Sequence, residues 1–221
     1  MKKWKDWPSY LKNEEVKLFY NVLRKKKFYR LVKRLFDIVA SLILIVILFI
    51  PSLLVLIIIT FTSRGSPIFR QQRIGRYGKV FTILKFRTMK VGSENGQQVT
   101  SKNDNRITTF GKFLRKTHID EFPQLLNVLV GQMSFVGTRP EVPLFLKYYK
   151  PAWLATLLTR PGITSTSAVA NTNESEKISS CTDTNEYYVK ELLPKKMEMN
   201  LSDLSLCSFG NDFKIMWRTV F

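Results

Sequence analysis

Two adjacent acids, Asp120 and Glu121, interrupt a strongly basic stretch, with Lys112, Arg115 and Lys116 just before them and Arg139 after them. Carboxylates in such company suit chemistry at phosphorus. An ionised Asp can attack phosphorus and form an acyl-phosphate. Cations then hold the phosphate oxygens, while a second acid holds a divalent metal or manages a proton. An acidic pair at a helix start is also an ordinary N-cap, so the pair alone does not separate structure from chemistry.

The elements around the pair follow from local signals. With Asp120 as N-cap, Pro123 falls in the first helical turn, where its missing N–H has no partner to lose. Leu125, Leu126, Val128 and Leu129 would form the buried side, and Gly131 would end the helix. The positive end of the helix dipole would favour ionised acids. Upstream, Ser66 to Met89 predicts a β-hairpin that turns at Gly75 to Lys79. On its return strand Lys85 and Arg87 share a face, opposite Leu84 and Phe86. Val91 to Asn105 is rich in Gly, Ser, Asn and Gln and predicts a mobile loop. Ile107, Phe110 and Leu114 then begin an amphipathic run towards Asp120. His118, the single histidine, reads as a bystander.

Ile38 to Phe61 is uncharged throughout and long enough to cross a hydrocarbon core of about 30 Å. Two features argue for a segment that enters and returns. Lys33 and Arg34 flank one end while Arg64, Arg70 and Arg73 flank the other, so both ends favour the cytoplasmic side. Pro51 removes a backbone hydrogen bond near the middle, and each arm alone, roughly 18 Å, is too short to cross. Ser52 would bond a carbonyl freed by Pro51. A single span is the alternative.

Charge narrows the partners. Lys plus Arg is 35 against 17 for Asp plus Glu, giving +18. Residues 1–36 carry twelve cations against Asp6, Glu14 and Glu15, and no acid occurs between Asp37 and Glu94. Val16, Phe19, Tyr20 and Leu23 fall on one helical face, with Trp4, Trp7 and Tyr10 nearby. This predicts a basic amphipathic segment lying on anionic lipid. Nucleic-acid binding competes on charge, but no nucleic-acid motif accompanies it. Cys181 and Cys207 lack metal-ligand spacing and read as reduced thiols. Glu141 to Thr159 is aromatic and leucine-rich, suited either to a core or to a helix in the headgroup layer.

The residues from Arg115 to Pro140 carry a resemblance. Arg115-Lys116-Thr117, Asp120-Glu121, Pro123-Gln124-Leu125, Asn127-Val128-Leu129, Gly131, Met133-Ser134, Val136-Gly137 and Arg139-Pro140 resemble the long signature of the bacterial sugar transferases, the monotopic phosphoglycosyl transferase superfamily. Thr138 stands where that family usually has proline. Arg70, Gln71, Arg73, Gly75, Gly78, Lys79, Phe81, Lys85, Phe86, Arg87 and Met89 match a second signature, and Arg160-Pro161-Gly162-Ile163-Thr164 a third. Beyond it the match lapses. Many members continue Gly-Trp-Ala-Gln-Val and then Gly-Arg-Asn, whereas this chain continues Ser165 to Asn171 and a longer loop to about Glu186. It returns at Lys196 to Glu198 and Asp212 to Met216. The family also commonly has Ser-Pro at the membrane break, where this chain has Ile50-Pro51-Ser52.

The resemblance implies a helix-rich α/β fold, a monotopic membrane enzyme with a re-entrant hairpin and a small β-hairpin in a cytoplasmic catalytic domain. Residues 1–32 would be the membrane-surface segment, 33–62 the hairpin and 63–221 the catalytic domain. It implies transfer of a phosphosugar from a UDP-sugar to polyprenyl phosphate with release of UMP, priming a surface glycan at the cytoplasmic membrane of a bacterium. Asp120 would be the nucleophile, and Glu121 would bind Mg2+ or assist proton transfer. Lys85, Arg87, Arg115, Arg139 and Arg160 would hold phosphate or nucleotide, with Pro51 and Ser52 at the break. Partners would be the UDP-sugar, the polyprenyl phosphate, anionic lipids and downstream glycosyltransferases, with no nucleic acid. A catalytically silent scaffold of a glycan assembly complex is the rival reading.

Overall fold

The computed structural model describes residues 3–92, 104–170 and 184–220. Most of the loop expected at Val91 to Asn105, most of the longer loop before Glu186, and Cys181 lie outside the described residues. The fold is helix-rich α/β, as expected. In chain order it comprises α1 (Glu14–Lys25), α2 (Lys27–Ile47), α3 (Phe49–Thr62), β1 (Ile68–Ile74), β2 (Val80–Phe86), α4 (Thr109–Lys116), α5 (Gln124–Leu129), β3 (Ser134–Val136), β4 (Gly162–Thr164), α6 (Thr166–Ala170), α7 (Thr184–Tyr187), α8 (Leu193–Leu206) and α9 (Phe209–Val220). A π-helical turn, Tyr188–Leu192, joins α7 to α8.

The β-hairpin forms where its turn residues predict. β1 and β2 pair antiparallel from Ile68↔Phe86 to Ile74↔Val80. Tyr77 (φ 63°) and Gly78 (φ 70°) supply the left-handed turn that matches strand twist. A second, parallel pair joins β3 to β4, with Ser134 opposite Gly162 and Val136 opposite Thr164. Glycine is required at this crossing, because a Cβ on Gly137 would sit 2.6 Å from the Arg160 carbonyl oxygen.

The N-terminal segment departs from expectation. Asn13 caps α1 through its side chain, which accepts from Val16 N at 2.8 Å. The apolar stripe of α1 does not face outward. Val16, Tyr20 and Leu23 are buried with Trp7 and Leu11 against Ala155, Leu157, Leu158 and Leu204. A stripe expected to rest on lipid is thus consumed by the core, leaving a mixed face of α1 exposed that includes Glu14, Lys17, Leu18 and Val22. The same cluster decides the ambiguity at Glu141 to Thr159. Phe145, Trp153, Leu157 and Leu158 are core, with Leu144 and Tyr148 left outside.

α2 is amphipathic in the reverse sense. Its buried side chains are Asp37 and Ser41, while Leu31, Leu35, Phe36, Val39, Leu42, Ile43, Val46 and Ile47 are exposed. Residues 30, 33, 34 and 37 recur at helical spacing and turn inward. Lys33 pairs with Asp212 at 2.5 Å. Arg34 donates to the carbonyls of Val128 and Leu129 at 2.7 and 2.8 Å. Asp37 accepts from Ser134 Oγ and Phe135 N, each at 3.1 Å. Among the described residues no single helix is long and apolar enough to cross a membrane, and α2 and α3 together bend by 61°. The bend falls at Leu48, just before Pro51, which sits in the first turn of α3. Ser52 does not act as expected. Its hydroxyl makes no hydrogen bond among the described residues; instead its backbone N–H reaches Leu48 O at 2.8 Å.

Candidate active site

The acid pair sits on a short 3-10 turn, Ile119–Glu121, and not at the N-cap of α5. Pro123 takes the N-cap position, and Gly131 (φ 85°) follows the helix end as expected. Arg115 and Lys116 end α4, and His118, in the left-handed region at φ 56°, turns the chain into the acid-bearing segment. Leu126 is exposed, and Asn127 takes its place in the interior, where its amide meets β2. Ile119 and Phe122, flanking the acids, pack on Ile59 of α3, Phe86 of β2 and Leu114 of α4. The turn is therefore clamped between the hairpin arm, β2 and α4.

Asn127 sets the register between this unit and β2. Its Oδ1 accepts from Leu84 N at 3.1 Å, and its Nδ2 donates to Thr82 O at 2.8 Å and to Gln132 Oε1 at 2.6 Å. That places Lys85, the next residue, opposite Glu121. Lys85 Nζ lies 2.7 Å from Glu121 Oε1, and Arg139 Nη2 lies 2.6 Å from the same oxygen. Arg139 Nη1 also donates to Ile163 O at 3.3 Å, tying the arginine to β4. Arg115 Nε donates to Thr88 Oγ1 at 2.8 Å.

The two acids have opposite surroundings. Burial pushes the Glu121 carboxyl up, but Arg139 and Lys85 outweigh it and hold the group far below the usual carboxylate range. Glu121 in turn raises Arg139, and burial lowers Lys85. Arg139 keeps 42% of its side chain exposed, so solvent softens its half of the cluster. Asp120, 7% exposed, accepts no hydrogen bond and joins no ion pair among the described residues. Burial and then Glu121 act against its ionised form, while Lys85, Arg115 and His118 favour it. The sequence expected the dipole to keep it ionised; desolvation is the larger influence here. Glu121 Oε1 is thus shared by two cations, and the Asp120 carboxylate has no partner beside them among the described residues.

Lys85, Arg115 and Arg139 converge electrostatically on the acids. Arg87 and Arg160 do not join them. Arg87, one residue beyond β2, donates to Arg64 O at 3.1 Å and lines a separate cavity with Arg70 and Val142. Arg160 Nε donates to Gly131 O at 2.8 Å, so it caps the carbonyl end of α5 alongside Arg34. Three polar residues in or beside the site were given no role by the sequence, although two of them fall within the long signature. These are Asn127, Thr88 and Gln124, whose buried Nε2 lacks a partner among the described residues. A lone amide in an apolar run reads as a polar break until its partner strand is known.

The family model described as bacterial sugar transferase matches residues 28–221. The chain belongs to the bacterial sugar transferase family. The UDP-glucose:undecaprenyl-phosphate glucose-1-phosphate transferase of Caulobacter vibrioides is 38% identical over 194 residues, covering 85% of this chain and 68% of that protein. The Klebsiella pneumoniae protein of the same description is 42% identical over 86% of this chain and 39% of its own length. The UDP-galactose-lipid carrier transferase of Erwinia amylovora is 37% identical over 66% of this chain and 34% of its own. This family member thus spans well under half the length of the last two relatives.

Proposed function

We propose that the chain is a phosphoglycosyl transferase, moving a phosphosugar from a UDP-sugar to undecaprenyl phosphate with release of UMP, the priming step of a surface glycan. One observation carries the reading: an unengaged buried carboxylate, Asp120, stands beside a partner acid already neutralised by Lys85 and Arg139. Asp120 is the nucleophile. Its oxygen attacks the sugar-linked phosphorus, the P–O bond to UMP breaks, and UMP leaves. An oxygen of the lipid phosphate then attacks the phosphorus of this acyl-phosphate, the bond between phosphorus and the Asp120 oxygen breaks, and the carboxylate is freed as the lipid-linked diphosphosugar forms. Lys85, Arg115 and Arg139 offset the charge that gathers on phosphate oxygens. The relatives described as UDP-glucose and UDP-galactose transferases support the donor and acceptor classes.

Among the described residues no three acidic, histidine or cysteine side chains gather as a protein-only metal cage requires. Mg2+ is commonly held by one or two carboxylates together with substrate phosphates, and the acid pair fits that pattern. Glu121 Oε2, only 3.5 Å from Arg139 Nη1, is the loosely held oxygen and the ligand we assign. Mg2+ bound there would neutralise donor phosphate charge.

The outward apolar faces of α2 and α3 support a re-entrant hairpin in residues 33–62, with both ends at the cytoplasmic side of the inner membrane. Residues 63–221, with α1 packed upon them, form the catalytic unit beneath it. A panel of UDP-sugars with undecaprenyl phosphate and Mg2+, scored for UMP, tests the reading. UMP release with one or two donors is expected; none from any donor would leave a scaffold instead.

A further inference from the structure

A cavity of about 350 Å3 lies at the foot of α2, and neither Asp120, Glu121 nor Lys85 contributes to its walls. Four arginines line it; Arg34 is held by the carbonyls of Val128 and Leu129, and the other three come from separate parts of the chain. Arg30 comes from α2, Arg76 from the β-hairpin turn, and Arg160 from the residue before Pro161. Arg76 Nε is fixed by Leu158 O at 3.0 Å and Arg160 Nε by Gly131 O at 2.8 Å. Neither contact neutralises charge. Arg30 Nε is buried and has no hydrogen-bond partner among the described residues. Burial lowers Arg76, and the neighbouring charges of Arg160 and Arg30 lower it further.

The carboxylates that share the cavity are committed elsewhere. Asp212 takes Lys33 and the Tyr29 hydroxyl. Asp203 accepts from Thr166 N and Oγ1, and Asp37 from Ser134 and Phe135. No described carboxylate pairs with Arg30, Arg76 or Arg160. Mutually repelling guanidinium groups gathered without a counter-ion among the described residues oppose folding unless something anionic joins them. Their unused planar donors match phosphate oxygens.

We propose that Arg30, Arg76 and Arg160 form a second phosphate-binding site, distinct from the Asp120 centre. The ligand is a phosphate ester or phosphate ion. A soluble phosphate offers this chemistry, and so does a lipid headgroup, since α2 carries no charge from Ile38 onward, two turns beyond Arg30.

The test uses the full chain in dodecyl maltoside micelles, with thermal unfolding followed against inorganic phosphate and, separately, against phosphatidic acid doped into the micelles. Saturable stabilisation by at least one probe is expected, unchanged in the Asp120→Asn, Glu121→Gln double variant. Arg30→Gln and Arg76→Gln should each weaken it about tenfold or more, as loss of a charge-assisted bond does. In phosphate-free buffer Arg30→Gln should unfold at the same temperature or higher, because a repulsion is removed. Stabilisation by phosphatidic acid alone assigns the site to a headgroup, and by inorganic phosphate alone to a soluble ligand. The proposal is overturned if neither probe saturates, if Arg30→Gln binds as well as wild type, or if that variant unfolds several degrees lower without phosphate.

Discussion

Asn127→Ala should separate positioning from chemistry. Asn127 is 3% exposed and serves two backbone groups of β2, the Leu84 N–H and the Thr82 carbonyl. Truncation leaves both without their side-chain partner. Each buried unsatisfied group costs about 1–3 kcal/mol, so the loss sums to roughly 2–6 kcal/mol. For a chain of this size each kcal/mol moves Tm by about 2–4 °C, so a fall of roughly 4–24 °C is expected. Lys85 follows Leu84, and its 2.7 Å contact with Glu121 depends on this register. A displacement near 1 Å costs about 10²-fold in rate, so UMP release below the new Tm should fall by that order. Asn127→Asp keeps the acceptor for Leu84 but sets a buried carboxylate oxygen against Thr82 O and Gln132 Oε1, so it should destabilise at least as much as alanine. The assay is thermal unfolding in detergent alongside UMP release at 20–25 °C below each Tm. A variant within about a degree of wild type, or one destabilised with full turnover, would refute the claim that Asn127 sets the site.

Three further outcomes are expected. Asp120→Asn should raise Tm at pH 7–8, because burial raises the folded pKa of Asp120 above its unfolded value of ~3.9. Its ionised form therefore weakens the fold above the folded pKa, and the gain from Asn should shrink as pH falls towards ~4; a constant gain across pH would contradict this. Arg139→Ala should cut turnover by roughly 10²–10³-fold, with Arg139→Lys restoring part, since a point charge lacks the bidentate fork; wild-type kinetics in the alanine variant would remove Arg139 from the site. Single cysteines near Lys26 and Lys90, in a cysteine-free background, should both be protected from an impermeant reagent applied outside the cell. Pro51→Ala should expose one of them in part of the population, by restoring a helix hydrogen bond across the bend; exposure of one label in the unmodified hairpin would mean a span.

Features with a local cause were legible in the sequence. The β-hairpin followed from Gly75 to Lys79 and strand alternation, the bend from Pro51, and the buried Leu114 from helical spacing. Features set by partners far along the chain were not. The α1 stripe carries the same pattern whether it meets lipid or Leu157 and Leu158, so periodicity could not choose between them. Arg160 carried a motif, but its neighbours Gly131, Arg34 and Arg76 come from three other elements. Alternation put Arg87 beside Lys85, yet β2 ends at Phe86, which frees Arg87 to turn towards Arg64. The acid pair was visible as chemistry, while the division between a clamped Glu121 and an unengaged Asp120 needed three-dimensional neighbours.

The central claim, that Asp120 is a covalent nucleophile, is tested most directly by giving the enzyme its UDP-sugar without lipid acceptor. The expected result is about one UMP released per enzyme, with the phosphosugar recovered on the peptide containing Asp120 and no label in Asp120→Asn. Label on Glu121, or steady turnover with acceptor and no labelled protein at any time, would contradict it.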